Sequence, residues 1–225
     1  KVSEVNTSHL MSILSPIWLT KAETARRVRQ RISAVLTWSI AQNWRTDNPA
    51  DKMIVKALPK QTKKLNHRKS MSYEDVGSFI RTVQNSNALI TTKLALEFLI
   101  LTASRSGEVR NAEWSQISFS TGEDLFTANE VLWVRPASIM KAKTEHIVPL
   151  NNRCLEILRL AHNFKNEETD LIFPSKRNKV LSDMTLSKLV KSLGYQVDVH
   201  GFRTSFKTWC QEQTNASREV SEAAH

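Results

Sequence analysis

Residues Leu89–Leu101 set the first constraint on what this chain can be. The run is strongly apolar, and from Leu94 to Leu101 only Glu97 interrupts it. A helix that is apolar all round has to be covered all round. The stretch therefore predicts a central helix with other elements packed about it. It falls short of the roughly 20 apolar residues that span a bilayer, so no membrane association is expected. At 225 residues the chain has enough length for one large domain or two smaller ones, each with a real core.

Charge divides the chain unevenly. Residues 1–70 hold fourteen Lys and Arg against four Asp and Glu, and residues 71–225 hold eighteen of each. The net charge of +10 thus lies wholly in the first third. That asymmetry points to a grip on a polyanion, with double-stranded DNA or RNA as the default partner. A merely soluble basic domain is the bland alternative. The two cysteines, Cys154 and Cys210, lack metal-type spacing and read as reduced intracellular thiols. The chain opens Lys1-Val2-Ser3-Glu4, with neither an initiator Met nor a signal peptide, and reads as a fragment.

In the basic third, Ser8–Trp18 predicts a short helix. A longer one follows, with Thr20 and Glu23 as its expected capping box and Ala25, Val28, Ile32, Val35 and Leu36 as its apolar stripe. Its other face carries Arg26, Arg27, Gln30 and Arg31, suited either to a DNA backbone or simply to solvent. Asp47-Asn48-Pro49 reads as a stop, so residues 1–50 form a small helical unit. Residues 51–70, with Lys63, Lys64, Arg68 and Lys69 among their basic side chains, read as a linker. Such a linker either lies along phosphates or acts as a plain tether.

Residues 71–225 form the second unit, beginning with a helix that Ser72 could cap. After the central helix, Thr102-Ala103-Ser104 leads to Arg105, and Glu108 stands three residues on, placed to hold the guanidinium by a bidentate pair. A helix is expected over Glu108–Trp114. Gln116–Ser118, Val131–Arg135 and His146–Leu150 are rich in β-branched or aromatic residues and predict a small antiparallel sheet. Met140-Lys141-Ala142-Lys143 falls in hairpin position before the last strand. Asn151 opens a further helix, Ser182 caps another ended by Gly194, and Ser217–Ala224 reads as a final one. Between the last two lies Val199-His200-Gly201-Phe202-Arg203, where one helical turn puts His200 and Arg203 on the same side. A proton donor beside a forked guanidinium suits a phosphate, although a surface His and a salt-bridged Arg have the same spacing.

The ordered set Arg105-x-x-Glu108, Lys141 ahead of His146-Ile147-Val148-Pro149-Leu150, and His200-x-x-Arg203 resembles the tyrosine recombinase family, in particular phage-type integrases of prophages and genomic islands. Thr24-Ala25-Arg26-Arg27 and Asn48-Pro49-Ala50 resemble the core-binding domain of the same enzymes. The resemblance implies a mainly α fold with a small antiparallel sheet: an N-terminal helical core-binding domain and an α+β catalytic domain. It implies a site-specific recombinase that cuts and rejoins DNA through a 3′-phosphotyrosine, needing neither metal nor other cofactor. Arg105 and Arg203 would stabilise the phosphorane, Lys141 would be the general acid, His200 would assist, and Glu108 would orient Arg105. Arm-binding domain and nucleophilic tyrosine are both expected outside these residues, since Tyr73 and Tyr195 read as packing side chains. The resemblance also implies a homotetramer on attachment-site DNA at full length, and a place in the bacterial cytoplasm with the nucleoid.

Two positions depart from the family pattern. Lys143 rivals Lys141 as the acid. His225 follows Glu222-Ala223-Ala224 as if two residues were missing, so it is either the family's last catalytic histidine displaced or the start of something else. A nicking-closing enzyme like type IB topoisomerases and a non-catalytic DNA-binding regulator remain as alternative functions.

Overall fold

The computed structural model describes residues 1–61, 69–119, 124–128, 130–140, 143–217 and 219–220. The chain divides into two compact units, Lys1–Asn66 and His67–His225, and each has its own apolar core.

In the first unit, α1 (Thr7–Trp18) begins where the Asn6 side chain accepts the His9 amide at 3.1 Å. Leu10, Leu14 and Trp18 recur at four-residue spacing and are buried against α2 (Ala22–Ala41). The expected capping box at Thr20 and Glu23 does not form. Lys21 takes the N-cap without a side-chain bond, the Thr20 hydroxyl donates back to Pro16 O, and Glu23 pairs with Arg27. Of the predicted stripe, Ala25 and Leu36 are buried and Val28 and Ile32 pack at the edge, but Val35 is exposed. The Asn48-Pro49-Ala50 turn has a clear physical basis. Asn48 Nδ2 donates to Ser33 O, Ser33 Oγ and Thr37 Oγ1, while its Oδ1 accepts the Ala50 amide. Arg45 is a structural clamp, donating to Val2 O, Val5 O and Asp47.

The stretch read as a linker from residue 51 contains a helix, α3 (Lys52–Ala57), capped by Asp51. Ile54 and Leu58 join the first core, and Trp18 Nε1 donates to Pro59 O at 2.7 Å. Ile54 and Leu58 are buried while Met53 and Val55 between the lysines are exposed, so the apolar residues show little helical periodicity, yet the two suffice to dock the helix.

The second unit is built on α5 (Ile90–Leu101), which is buried continuously from Leu94 to Ile100. Packed on it are α4 (Tyr73–Gln84), α6 (Ser106–Arg110), α7 (Asn152–His162), α8 (Thr185–Ser192) and α9 (Gly201–Gln213). Glu97 is 3% exposed and is held by Arg153 Nε at 2.6 Å and Gln84 Nε2 at 3.0 Å. The antiparallel sheet has the order β1 (Ile117–Phe119), β2 (Val131–Arg135), β3 (His146–Leu150). Its register pairs Trp133 with both Ile117 and Val148, and Arg135 with His146. Trp133 is fully buried against Phe98 of α5.

Several boundaries shift from expectation. The helix after Arg105 starts at Ser106 and lasts only to Arg110, followed by a 3-10 turn at Trp114–Gln116. Neither Ser72 nor Ser182 forms a side-chain cap to a backbone amide. Gly194, with φ of +87°, does close α8 as expected. Most of the anticipated last helix lies outside the described residues. Cys154 and Cys210 are free and buried, and burial pushes the Cys154 thiol up to about 12. Among the described residues no helix is long and apolar enough to cross a membrane.

Candidate active site and nucleic-acid-binding face

The site is assembled from the turn after α5, the start of α9 and the sheet that lies between them in sequence. At the C-terminal end of α5 the chain reverses through Ala103, with φ of +47°, and Ser104 N–H donates to Leu99 O. Arg105 then caps α6. Its amide donates to Glu108 Oε2 at 2.8 Å and its Nη1 to Glu108 Oε1 at 2.7 Å.

The expected two-pronged pairing between Arg105 and Glu108 is not what forms. Glu108 divides its carboxylate: Oε1 accepts Arg105, and Oε2 accepts both the Arg105 amide and Nη1 of Arg135. Burial alone would raise the Glu108 pKa, but the hydrogen bonds from Arg105 and the charges of Arg135 and Arg105 outweigh it and hold the carboxyl below its ordinary range. The group is therefore a carboxylate at neutral pH.

Arg203 comes from α9, near its start. It is 6% exposed, and its Nη1 donates to Ala103 O in the turn just before Arg105. The two arginines, far apart in sequence, are thereby fixed on one turn. Burial lowers the Arg203 pKa and the Arg105 charge adds to that, yet a guanidinium so placed stays protonated at neutral pH. His200 is the exposed N-cap residue of α9.

The start of α9 is itself fastened. Asp198 N–H donates to Lys69 O at 2.9 Å, Lys69 N–H donates to Asp198 Oδ2 at 3.2 Å, and the Ser205 hydroxyl donates to Met71 O. Gly201 permits this crossing, because a Cβ there would lie 2.4 Å from Lys69 O.

The remaining candidates divide by location. Lys141 and His225 lie outside the described residues, as do Lys63, Lys64 and Arg68. Lys143 is exposed, with a left-handed φ of +55°, and its amide donates to Met140 O. Lys69 is exposed. Tyr195 packs edge-on against Phe79, and the Tyr73 hydroxyl accepts from Gln213. Among the described residues no group of His, Cys, Asp and Glu could hold a metal ion. The charges that gather here are guanidiniums, and they suit an oxyanion.

Two residues of the site were not anticipated. Arg135 is buried at the end of β2 and faces the same way as Val131 and Trp133, and His146 is its partner on β3. The signal was in the alternation: counting by twos from Val131 lands a charged side chain on the inward face. Burial, with the Arg135 charge next, holds the His146 pKa below its ordinary value of 6.5.

In the first unit, Arg26, Arg27, Gln30 and Arg31 are all exposed on α2. Glu23 bridges Arg26 at 3.3 Å and Arg27 at 2.9 Å. Exposed pairs of this kind hold their partners weakly, so these arginines remain available to another anion. Arg29, between them, turns inward to Ala50 O.

Residues 69–224 match the Phage integrase family, and residues 1–55 match the Phage integrase central domain. The chain belongs to the phage integrase family. It is 28% identical over 213 residues to the integrase of Enterobacteria phage P4, covering 90% of this chain and 48% of that protein. It spans about half the length of the relatives it matches. A lambda integrase dimer bound to a COC′ core site shares the fold, with a TM-score of 0.68 at 17% identity over 99% of this chain and 78% of that one. So does a lambda integrase tetramer bound to a Holliday junction, with a TM-score of 0.66 at 18% identity over 99% and 64%.

Proposed function

We propose that this chain forms the core-binding and pocket-bearing part of a site-specific DNA recombinase that integrates or excises phage or genomic-island DNA. The observation that carries the reading is the bond from Arg203 to Ala103 O, which gathers Arg203, Arg105 and Glu108 at one turn. In this reading a tyrosine outside these 225 residues attacks a DNA phosphodiester. The bond from phosphorus to the 5′-oxygen breaks, a 3′-phosphotyrosine forms, and a second strand's 5′-hydroxyl reverses the step.

The phosphorane carries extra negative charge on its non-bridging oxygens, and Arg105 and Arg203 are placed to meet it with charge that needs no reorganisation. Lys141 donates the proton to the leaving 5′-oxygen, with Lys143 as the rival donor. His200 accepts the tyrosine proton or donates to the phosphate. Glu108 orients Arg105 without touching the reacting atoms, and His225 serves as a further donor if it is the family's last histidine. Arg26, Arg27, Gln30 and Arg31, with Lys63, Lys64, Arg68 and Lys69, grip the duplex backbone. The lambda tetramer on a Holliday junction supports a tetramer on attachment-site DNA. Action on the chromosome would put the protein in the bacterial cytoplasm with the nucleoid.

The test uses the protein expressed from its whole reading frame and a nicked suicide duplex. Arg105→Ala and Arg203→Ala should each abolish covalent protein–DNA product while duplex affinity stays within a few-fold. Normal product from either variant refutes the assignment.

A further inference from the structure

We infer that Arg135 is a positioning residue of the phosphate pocket, acting as the counter-ion of Glu108 so that the charge of Arg105 stays available to an incoming phosphate. The inference rests on the pocket reading above and adds a residue to it.

Glu108 and Arg105 alone would be a closed pair: one carboxylate against one guanidinium, with no net charge to offer. A phosphate arriving there would have to compete with that carboxylate for the same donors. Arg135 changes the balance. Its Nη1 donates to Glu108 Oε2, the oxygen that Arg105's side chain does not use. The carboxylate's charge is then shared with a guanidinium whose side chain is only 4% exposed, while the Arg105 side chain is 46% exposed. The buried arginine neutralises Glu108 and the open one keeps its charge. Among the described residues, Arg105 and Arg135 set two guanidinium charges against the single carboxylate they share, a surplus of one positive charge. His146, the cross-strand partner of Arg135, adds none, because burial and the Arg135 charge favour its neutral form.

Packing alone does not account for Arg135. Its guanidinium lies 4.7 Å over the Trp133 ring, but its buried Nε has no hydrogen-bond partner among the described residues. A buried guanidinium left partly unsatisfied is a poor way to fill space, and an aliphatic side chain of similar length usually does as well or better. The arrangement makes sense if the charge itself is used.

The test titrates inorganic phosphate into the chain and its variants and follows binding by isothermal titration calorimetry. Arg135→Met should weaken phosphate binding by about tenfold, the loss of one unit of nearby charge in a half-buried site. Arg135→Gln is a second neutral variant in case Met folds poorly, and the same loss is expected. Arg135→Lys should bind within about threefold of the parent, because the charge is kept. The deciding variant combines Arg135→Met with Glu108→Gln, which restores the surplus and leaves a carbonyl oxygen for Arg105; it should recover most of the lost affinity. A purely structural role for Arg135 predicts instead that the double variant binds no better than Arg135→Met, and that result overturns the proposal. So does undiminished binding by both neutral variants. If the parent does not bind phosphate, or Arg105→Ala binds it equally well, the pocket reading fails and this inference fails with it. If Arg105→Ala abolishes binding while Arg135→Met leaves it intact, only this inference fails.

Discussion

Gly201 has no side chain because another part of the chain occupies the space: the nearest atom to a Cβ there would be a backbone carbonyl, which cannot swing aside. Gly201→Ala should therefore cost about 2 kcal/mol, within the range for overpacking a tight contact, and would appear as a lower urea midpoint with an unchanged slope. His146 makes a prediction in pH. Its folded-state pKa is depressed by burial and then by Arg135, so below its ordinary 6.5 the unfolded chain binds more protons than the folded one. Its contribution to stability is full above that value and is lost as pH falls toward the folded pKa. His146→Asn should flatten the stability profile in that window, and an unaltered slope would contradict the assignment. Glu108 acts in the same direction at lower pH. Its depressed carboxyl contributes stability above the ordinary carboxylate value of 4.5 that drains away on further acidification, and Glu108→Gln should remove that part of the acid limb.

Among the elements, α5 carries the most consequential ion pair. Glu97 is buried in its middle and answered by Arg153 from α7. Among the described residues Arg153→Met leaves that carboxylate with only the Gln84 amide and should cost about 2–3 kcal/mol, read as a fall in melting temperature. How much of the fold could be read from sequence depends on the same contrast between strong and weak local patterns. The α5 run and the strands β2 and β3 were legible because their apolar spacing is dense. The capping box expected at Thr20 does not form, since Thr20 has a competing acceptor in Pro16 O and Glu23 has two arginines within reach. Helix α3 was missed because only Ile54 and Leu58 mark its buried side. Within the site, Arg105, Glu108 and Arg203 could be picked out from their spacing, whereas Arg135 requires the register of β2 to be known before its burial can be seen. Glu108's division between two arginines is a tertiary fact that no local spacing encodes.

For the whole molecule, the confinement of the +10 charge to residues 1–70 makes a prediction about salt. Duplex affinity measured by fluorescence anisotropy should fall linearly on a log–log plot against salt concentration. Replacing Arg26, Arg27 and Arg31 together should reduce the slope by roughly one for each phosphate that is no longer neutralised, with little change in sequence preference. An unchanged slope would refute the DNA-binding role proposed for α2. The fastening of Lys69 to Asp198 bears on the same grip. A lysine on a loose tether must freeze its backbone whenever it meets a phosphate. At Lys69 that ordering is complete once the chain has folded, and only rotamer freedom is left to lose. Its ammonium turns on a fixed pivot, so in the proposed DNA-binding role this cation would meet a phosphate with a smaller entropic penalty than a lysine of equal charge on a mobile stretch.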